Sequence, residues 1–501
     1  MREEELKFTV HGLFELPDLA PCLPEGGSVV PQGQRELRAT YYDTSDLRLA
    51  RMGITLRYRT GESGPPWHLK LPTGTTGVRH ELAVDGTADA VPRELAALVT
   101  AWVRSAELAP VATLRTERDA WLLTDASRET LAEVVDDTVS ILDGKKVLSR
   151  FREIEVERGS ADGSAELLTS VATQLEAAGA AAGEFTPKVM RALGPRSAAS
   201  PDLPVPAKPL RLASAGDAVT YALRRTVRTV LDYDVRVRRG EDDAVHQMRV
   251  ACRRLRSDLR TFGPLVEPAW ADGLHTDLRW LAAALGGPRD AEVRRARLRK
   301  TATADPLSAL DTAAVERVDA ELVARENAAL AELADVLDSD RYVALLDLLV
   351  EAARAPRLTE LAAQPSAYVL PSLVGAAWRK LVKRAGKLHI DDPDEPWHEA
   401  RIRAKRARYA AEAVAPALGK DAARLAKACA GVQDVLGEHQ DAATAAEVWL
   451  DVAAAHRGDD ALVLTCGRLA ERERIAVHRA RAEFNAAWHA ATRPKVTRWL
   501  P

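Results

Sequence analysis

Glu3, Glu5 and Lys7 follow one another at two-residue spacing, and Glu153 and Glu155 repeat the acidic pair about 150 residues later. On a β-strand, alternate residues share a face, so each set places like charges side by side. Adjacent like charges on a sheet repel. Two carboxylate pairs brought together make an oxygen-rich site that a hard divalent cation would neutralise. Such a site suits phosphate chemistry, and it falls in the first 200 residues.

Further charges keep the same spacing. Arg57 and Arg59 share a strand face, as do His68 and Lys70, and Arg79 and Glu81. One reading makes these the solvated outer faces of an antiparallel sheet. The other turns them into the lumen of a barrel, where they could bind a polyanion with metal ions. Arginine suits that task, because its planar fork matches phosphate oxygens. The recurrence of such pairs within one segment favours the lumen.

The elements that must position them are strands. Period-two alternation recurs in Glu3–Val10, Ile54–Thr60, Trp67–Leu71, Val78–Val84, Val111–Leu123 and Arg150–Glu157. Turn signals separate these runs, and helical stretches interrupt them around Pro92–Ala101 and Ala165–Ala178. Gly194, Pro195, Pro201, Pro204, Pro206 and Pro209 then mark a stiff, extended linker at 196–209 between domains at 1–195 and 210–492.

The second half is rich in Ala, Leu, Arg and Glu at helical periodicity, which predicts an all-α bundle. It also repeats itself, in copies at about 210–350 and 365–492. His246, Arg249, Arg253, Arg254 and Arg256 recur as His398, Arg401, Lys405, Arg406 and Arg408, offset by 152, and Leu285…Asp290-Ala recurs as Leu436…Asp441-Ala. On an ideal helix His246, Arg249, Arg253, Arg256 and Arg260 fall within about an 80° arc. The second copy reproduces that arc, except that Glu412 replaces the last cation. Like charges along one face cost helix stability, so neighbouring acids or an anionic ligand should offset them. Two copies of the spacing favour a shared ligand surface. The stripe lacks the nearby carboxylates or cysteines of a metal site.

Bulk properties narrow the classes. The 501 residues are 47% hydrophobic and 29% charged, with net charge −3. That is a soluble globular composition for two or three domains, and any basic surface must be local. Four cysteines, Cys22, Cys252, Cys429 and Cys466, are widely spaced and read as reduced core residues. Neither a secretory signal nor a membrane-length apolar run is present. A cytoplasmic protein is expected, with no membrane partner.

Glu3-x-Glu5-x-Lys7 resembles the signature of the CYTH superfamily, the triphosphate tunnel metalloenzymes. The Tyr42-Asp43-Thr44 segment, Leu56-Arg57-Tyr58-Arg59, Leu69-Lys70 and Glu153-Ile-Glu155-Val-Glu157 follow in that family's order. The resemblance implies an eight-stranded antiparallel tunnel. Glu3, Glu5, Glu153 and Glu155 would hold Mg²⁺ or Mn²⁺, with Lys7 beside them in the catalytic set. Lys7, Arg57, Arg59, Lys70, Arg118 and Lys188 would grip a triphosphate, and Glu81 and Asp137 would add acids to the lumen.

The helical half resembles a CHAD domain, on both His-x-x-Arg copies and both Leu-Gly…Asp-Ala segments. That resemblance implies inorganic polyphosphate bound along a groove lined by His246, Arg249, Arg253, Arg254, Arg256, Arg260, His398, Arg401, Lys405, Arg406 and Arg408. Asp290 and Asp441 would orient the cations, and association with polyphosphate granules would follow. The expected function is therefore a metal-dependent triphosphatase hydrolysing tripolyphosphate, joined to a polyphosphate-binding module. Thiamine triphosphate, a nucleoside triphosphate, ATP cyclisation and a non-catalytic polyphosphate scaffold stay open as alternatives. Sequence-specific nucleic-acid binding is not expected, because aromatic content is 5% and no reader module is recognisable.

Overall fold

The computed structural model describes residues 2–73, 75, 78–159, 164–183, 186–204 and 212–501; the side chains of Arg2, Glu3 and Ser164 lie outside that description. The chain divides into two units, Met1–Asp202 and Leu203–Pro501.

The first unit is a closed antiparallel barrel. Its strands are β1 (Arg2–Val10), β2 (Ser28–Asp43), β3 (Thr55–Thr60), β4 (Trp67–Pro72), β5 (Val78–Val84), β6 (Ala109–Thr124), β7 (Thr130–Asp143) and β8 (Lys146–Arg158). The two-residue β9 (Ala181–Ala182) adds to β1 from outside the ring. Neighbours run β5-β4-β3-β2-β6-β7-β8-β1, and β1 closes the ring by pairing Arg2–Glu4 with Val78–His80 of β5.

Alternation fixes what faces inward. Glu5 and Lys7 lie across from Glu157 and Glu155, Arg118 from Asp137, Tyr41 from Arg57, and Lys70 from Glu81. These are the charged and polar lumen residues. The intervening residues of β1, β7 and β8, among them Phe8, Val10, Val134, Ile154 and Val156, point outward. There they bury against Leu167, Leu168, Val171 and Leu175.

Helices of this unit are α1 (Arg93–Leu98), α2 (Thr100–Val103), α3 (Ser164–Ala177) and α4 (Lys188–Leu193). The leucines and Val171 that cover the barrel belong to α3. Val189 of α4 packs on the lumen-facing Ala39, Tyr41, Leu114 and Val139, so an apolar plug fills one end of the lumen.

Residues 196–202, expected as the start of an extended linker, are tied to the first unit. Gly194–Ala198 forms a short 3-10 helix, and Arg196 and Arg51 donate to the Ser45 and Ser200 carbonyls at 2.8 Å each. The rest of the expected linker runs through 205–209, outside the described residues.

The second unit is helical: α5 (Ala215–Arg238), α6 (Ala244–Thr261), α7 (Pro268–Ala284), α8 (Gly286–Ala302), α9 (Thr312–Leu337), α10 (Asp340–Arg354), α11 (Ser366–Ala385), α12 (Asp394–Leu418), α13 (Lys420–Ala455), α14 (Asp460–Ala491) and α15 (Pro494–Thr497). The 152-residue offset superposes α5 on α11, α6 on α12 and α9 on α14. It places α7 and α8 on the two halves of the single helix α13. The first copy breaks at Leu285, just before Gly286-Gly287-Pro288, where proline removes a helical donor. The second copy carries Gly437-Glu438-His439 there and stays continuous.

No described helix is long and apolar enough to cross a membrane. Cys252, Cys429 and Cys466 are buried, Cys22 is half-buried, and all four are free thiols.

Candidate functional sites

Two strand faces and one short helix build the lumen site. β1 and β8 supply the acidic wall. Carboxylate oxygens of Glu5, Glu155 and Glu157 lie within 4.8 Å of one another. The group is all-oxygen and hard, the donor chemistry that Mg²⁺ and Mn²⁺ take. It therefore fits a divalent cation.

Cations crowd the same wall. Lys7 Nζ lies 2.5 Å from Glu155 Oε1 and 3.4 Å from Glu5. Pro187 caps α4, whose fixed backbone angle starts the helix there and places Lys188 at its first position. Lys188 Nζ reaches Glu155 at 2.5 Å, Asp137 at 2.8 Å and Glu153 at 3.1 Å. Arg118 grips Asp137 with two hydrogen bonds, at 2.8 and 2.7 Å. Burial alone would raise Glu155, but Lys188, Lys7 and Arg118 hold it well below the usual carboxylate range. Asp137 is held low in the same way by Lys188 and Arg118. Both are therefore ionised at neutral pH, the state a metal ligand needs.

The opposite wall is cationic. Arg57, Arg59 and Lys70 line the cavity there with Tyr41 and Thr116, and Arg79 joins the lining from β5, beside β1. Burial and the neighbouring Arg57 lower the Arg59 guanidinium to about 10. Glu81 faces the same way as Lys70, its partner across the strands, and lies 2.9 Å from His68, 3.7 Å from Lys70 and 3.8 Å from Arg57. Burial would raise it, yet its bond to His68 and the charges of Lys70 and Arg57 lower it to about 2.

The lumen thus brings together Glu5, Lys7, Arg57, Arg59, Lys70, Arg118, Asp137, Glu155 and Lys188. Glu153 sits one register step from the acidic group, opposite Thr9, and meets Lys188 instead. Glu3 pairs with Arg79 through the backbone, and its side chain lies outside the described ones. Glu157 takes the third place in the acidic group. Its parity with Glu153 and Glu155 was visible in the sequence; its position opposite Glu5 was not. Asp136, adjacent to Asp137, faces outward and bonds Arg152 at 2.8 and 2.6 Å.

In the second unit the basic residues divide into three groups. Arg249, Arg253, Arg401 and Lys405 form one. Arg249 meets Asp290 at 2.7 Å, and its counterpart Arg401 meets Asp441 at 3.6 Å. Burial, Arg401 and Arg253 push Lys405 down to about 7. Burial also lowers His246, and its ring feels the field of Arg289. His398 bonds Gln440.

In the second group one carboxylate offsets two cations: Glu412 takes Arg254 and, at 2.7 Å, Arg408. The third is Arg256, Arg260 and Arg406; Arg260 and Arg406 border a cleft between α6, α11 and α12, and Arg256 acts on Arg406 through its charge. The ideal-helix arc had joined Arg256 and Arg260 to Arg249 and Arg253, with Arg408 in the matching arc. The packing of α6 on α12 separates them.

Residues 1–188 match the CYTH domain and residues 221–450 the CHAD domain. Two Mycobacterium tuberculosis proteins described as uncharacterized, MT2285 and Rv2226, are 35% identical over 483 residues, covering 90% of this chain and 89% of theirs. The chain belongs to the CYTH–CHAD family.

Among solved structures, the CYTH–CHAD chain is similar to PptA from Streptomyces chartreusis, at 25% identity and TM-score 0.48, over 55% of this chain and all of that one. It is also similar to the CHAD domain of Ricinus communis, at 26% identity and TM-score 0.45, over 57% of this chain and 96% of that one. A Hippeastrum adenylyl cyclase described as having a dominant triphosphatase activity aligns at 15% identity and TM-score 0.23, over 38% of this chain and 95% of that one.

Proposed function

We propose that the CYTH unit hydrolyses inorganic tripolyphosphate with Mg²⁺ or Mn²⁺, and that the CHAD unit binds inorganic polyphosphate. The observation that carries the reading is the polarity of the lumen. An acidic wall of Glu5, Glu155 and Glu157 faces a cationic wall of Arg57, Arg59 and Lys70.

Glu5, Glu155 and Glu157 would hold the metal, which supplies charge neutralisation and polarises a phosphoryl group when bound. Arg57, Arg59 and Lys70 would hold the phosphate oxygens in line. Phosphoryl transfer needs little more from a protein than such positioning and electrostatics. Lys7, Lys188 and Arg118 keep the carboxylates ionised and can turn to the phosphates as charge accumulates. The Val189 plug keeps water out of one end.

An inorganic substrate is favoured over a nucleotide by the aromatic residues. Tyr42, Tyr58 and Trp67 have outward parity, and their rings pack together at 4.9 and 5.3 Å, with Trp67 wholly buried. They are occupied in the shell, and Tyr41, which lines the lumen, is itself buried in the cluster around Val189.

In the CHAD unit, Arg249, Arg253, Arg401 and Lys405 come from matching positions of both copies. Burial first, and then the charges of Arg401 and Arg253, hold Lys405 at about 7, and Asp441 only partly offsets them, so the group has room for further counter-charge. A phosphate chain supplies that charge.

The test is phosphate release from tripolyphosphate and from ATP with Mg²⁺, Mn²⁺ or EDTA, beside direct titration with long-chain polyphosphate. Metal-dependent release favouring tripolyphosphate supports the reading. Release only from ATP, or none with any metal, rejects it for the tunnel. Absence of polyphosphate binding rejects it for the CHAD unit.

A further inference from the structure

The two copies in the helical unit make equivalent contacts with different charges. At one end Arg254 of α6 meets Glu412 of α12, which also takes Arg408. Moved by the 152-residue offset, the same three positions are Arg406, Arg260 and Arg256. A carboxylate has become a guanidinium, and three cations meet where the sister end has two cations and an anion.

The ionisation balance shows the difference. Burial would lower Arg408, but its bond to Glu412 raises it. Its counterpart Arg256 is lowered by burial and then by Arg260 and Arg279. Arg406 is lowered by burial and by Arg260, Arg403 and Arg256. Nε of Arg256 is buried with no hydrogen-bond partner among the described residues. Arg260 contacts only the ring of His275, at 2.9 Å, among the described hydrogen bonds.

Beside this triad a cleft of about 240 Å³ opens between α6, α11 and α12. Arg260, Arg403, Arg406 and Lys380 border it, and Leu373, Ala376 and Ala377 of α11 give it an apolar side. Inorganic phosphate would use the cations and leave that apolar side wet.

We propose that this cleft is a second anion site, separate from the Arg249–Arg401 group, and that it takes a small organic phosphate whose apolar body lies on α11. In the cleft the phosphate meets Arg260, Arg403, Arg406 and Lys380, and supplies the negative charge that Glu412 supplies in the sister copy. The inference is independent of the tunnel and of polyphosphate binding by the other group.

The test is calorimetric titration of the full chain with phenyl phosphate and with inorganic phosphate. Phenyl phosphate should bind once per chain and at least about tenfold more tightly. Arg260→Glu supplies the missing carboxylate from within and should weaken phenyl phosphate by about tenfold or more. Lys380→Ala, at an exposed position, should weaken it several-fold and guards against a folding defect in the first variant. Equal affinity for the two probes overturns the apolar contact. Unchanged binding in both variants overturns the site. A loss of long-chain polyphosphate affinity in Arg260→Glu equal to that for phenyl phosphate would make the cleft part of the polyphosphate groove and overturn its separateness.

Discussion

Glu5 on β1 stands directly opposite Glu157 on β8 in the antiparallel register, and both reach carboxylate oxygens to within 4.8 Å of Glu155. The acidic group is therefore shared between two strands and depends on their register. A one-residue slip would turn the carboxylates of one strand to the outer face.

Glu5→Gln and Glu157→Gln should each abolish most metal-dependent phosphate release. A bound metal contributes several kcal/mol of transition-state stabilisation, so the loss should be on the order of 100-fold or more in kcat. Glu153→Gln should cost much less, because Glu153 meets Lys188 and stands outside the group. Initial rates at saturating Mg²⁺ decide this. Equal losses for all three variants would place the metal elsewhere.

Asp137→Asn should destabilise the barrel. Asp137 is wholly buried and faces Arg118 and Lys188. Removing one charge of a buried pair leaves the others uncompensated and costs about 3–5 kcal/mol. Denaturant melts of the full chain should show the first transition moving and the helical unit's transition unchanged.

Much of this lumen was legible in the sequence, because inward charges kept strict parity on β1, β3, β4 and β8. Two strands were not. β7 is buried on both faces, with Val134 packed outward and Val135, Asp137 and Val139 inward, so its residues do not alternate in polarity. β2 carries a register shift between Pro31 and Gly33, and its first half is largely exposed, which breaks the pattern. The basic stripes were legible as stripes. Their division was not, since only the packing of α6 on α12 brings Glu412 against Arg254.

Asp258 should make the helical unit less stable as pH rises. It is wholly buried, neither carboxyl oxygen has a hydrogen-bond partner among the described residues, and burial pushes it up to about 8 against Arg254 and Arg225. Its folded pKa exceeds the unfolded value of about 3.9. The unfolded chain therefore releases a proton that the folded chain keeps. The penalty is absent below the unfolded value, grows through neutral pH and levels off near the folded value. Asp258→Asn should remove this slope, with a gain of a few kcal/mol at pH 7 relative to pH 4. Melting curves across that range test it; parallel profiles for both proteins would refute it.

Polyphosphate binding should weaken above neutral pH. Free Lys405 loses its proton near pH 7, and a bound polyanion raises that value. Binding then takes up a proton, so affinity is flat below about 7 and falls by up to about tenfold per unit above it. Lys405→Arg, which stays charged, should flatten the profile between pH 7 and 9. Titrations at three pH values suffice.

The barrel closes through the short pairing of Arg2–Glu4 with β5, and the next residue along the strand is Glu5. The seam and the acidic group are thus consecutive on one strand. A cation held between Glu5, Glu155 and Glu157 would act as a clasp on the closing joint, so catalytic loading and mechanical integrity of the ring become a single event. Slower solvent exchange of the Glu3 and Glu4 amides on adding Mg²⁺ would be its signature.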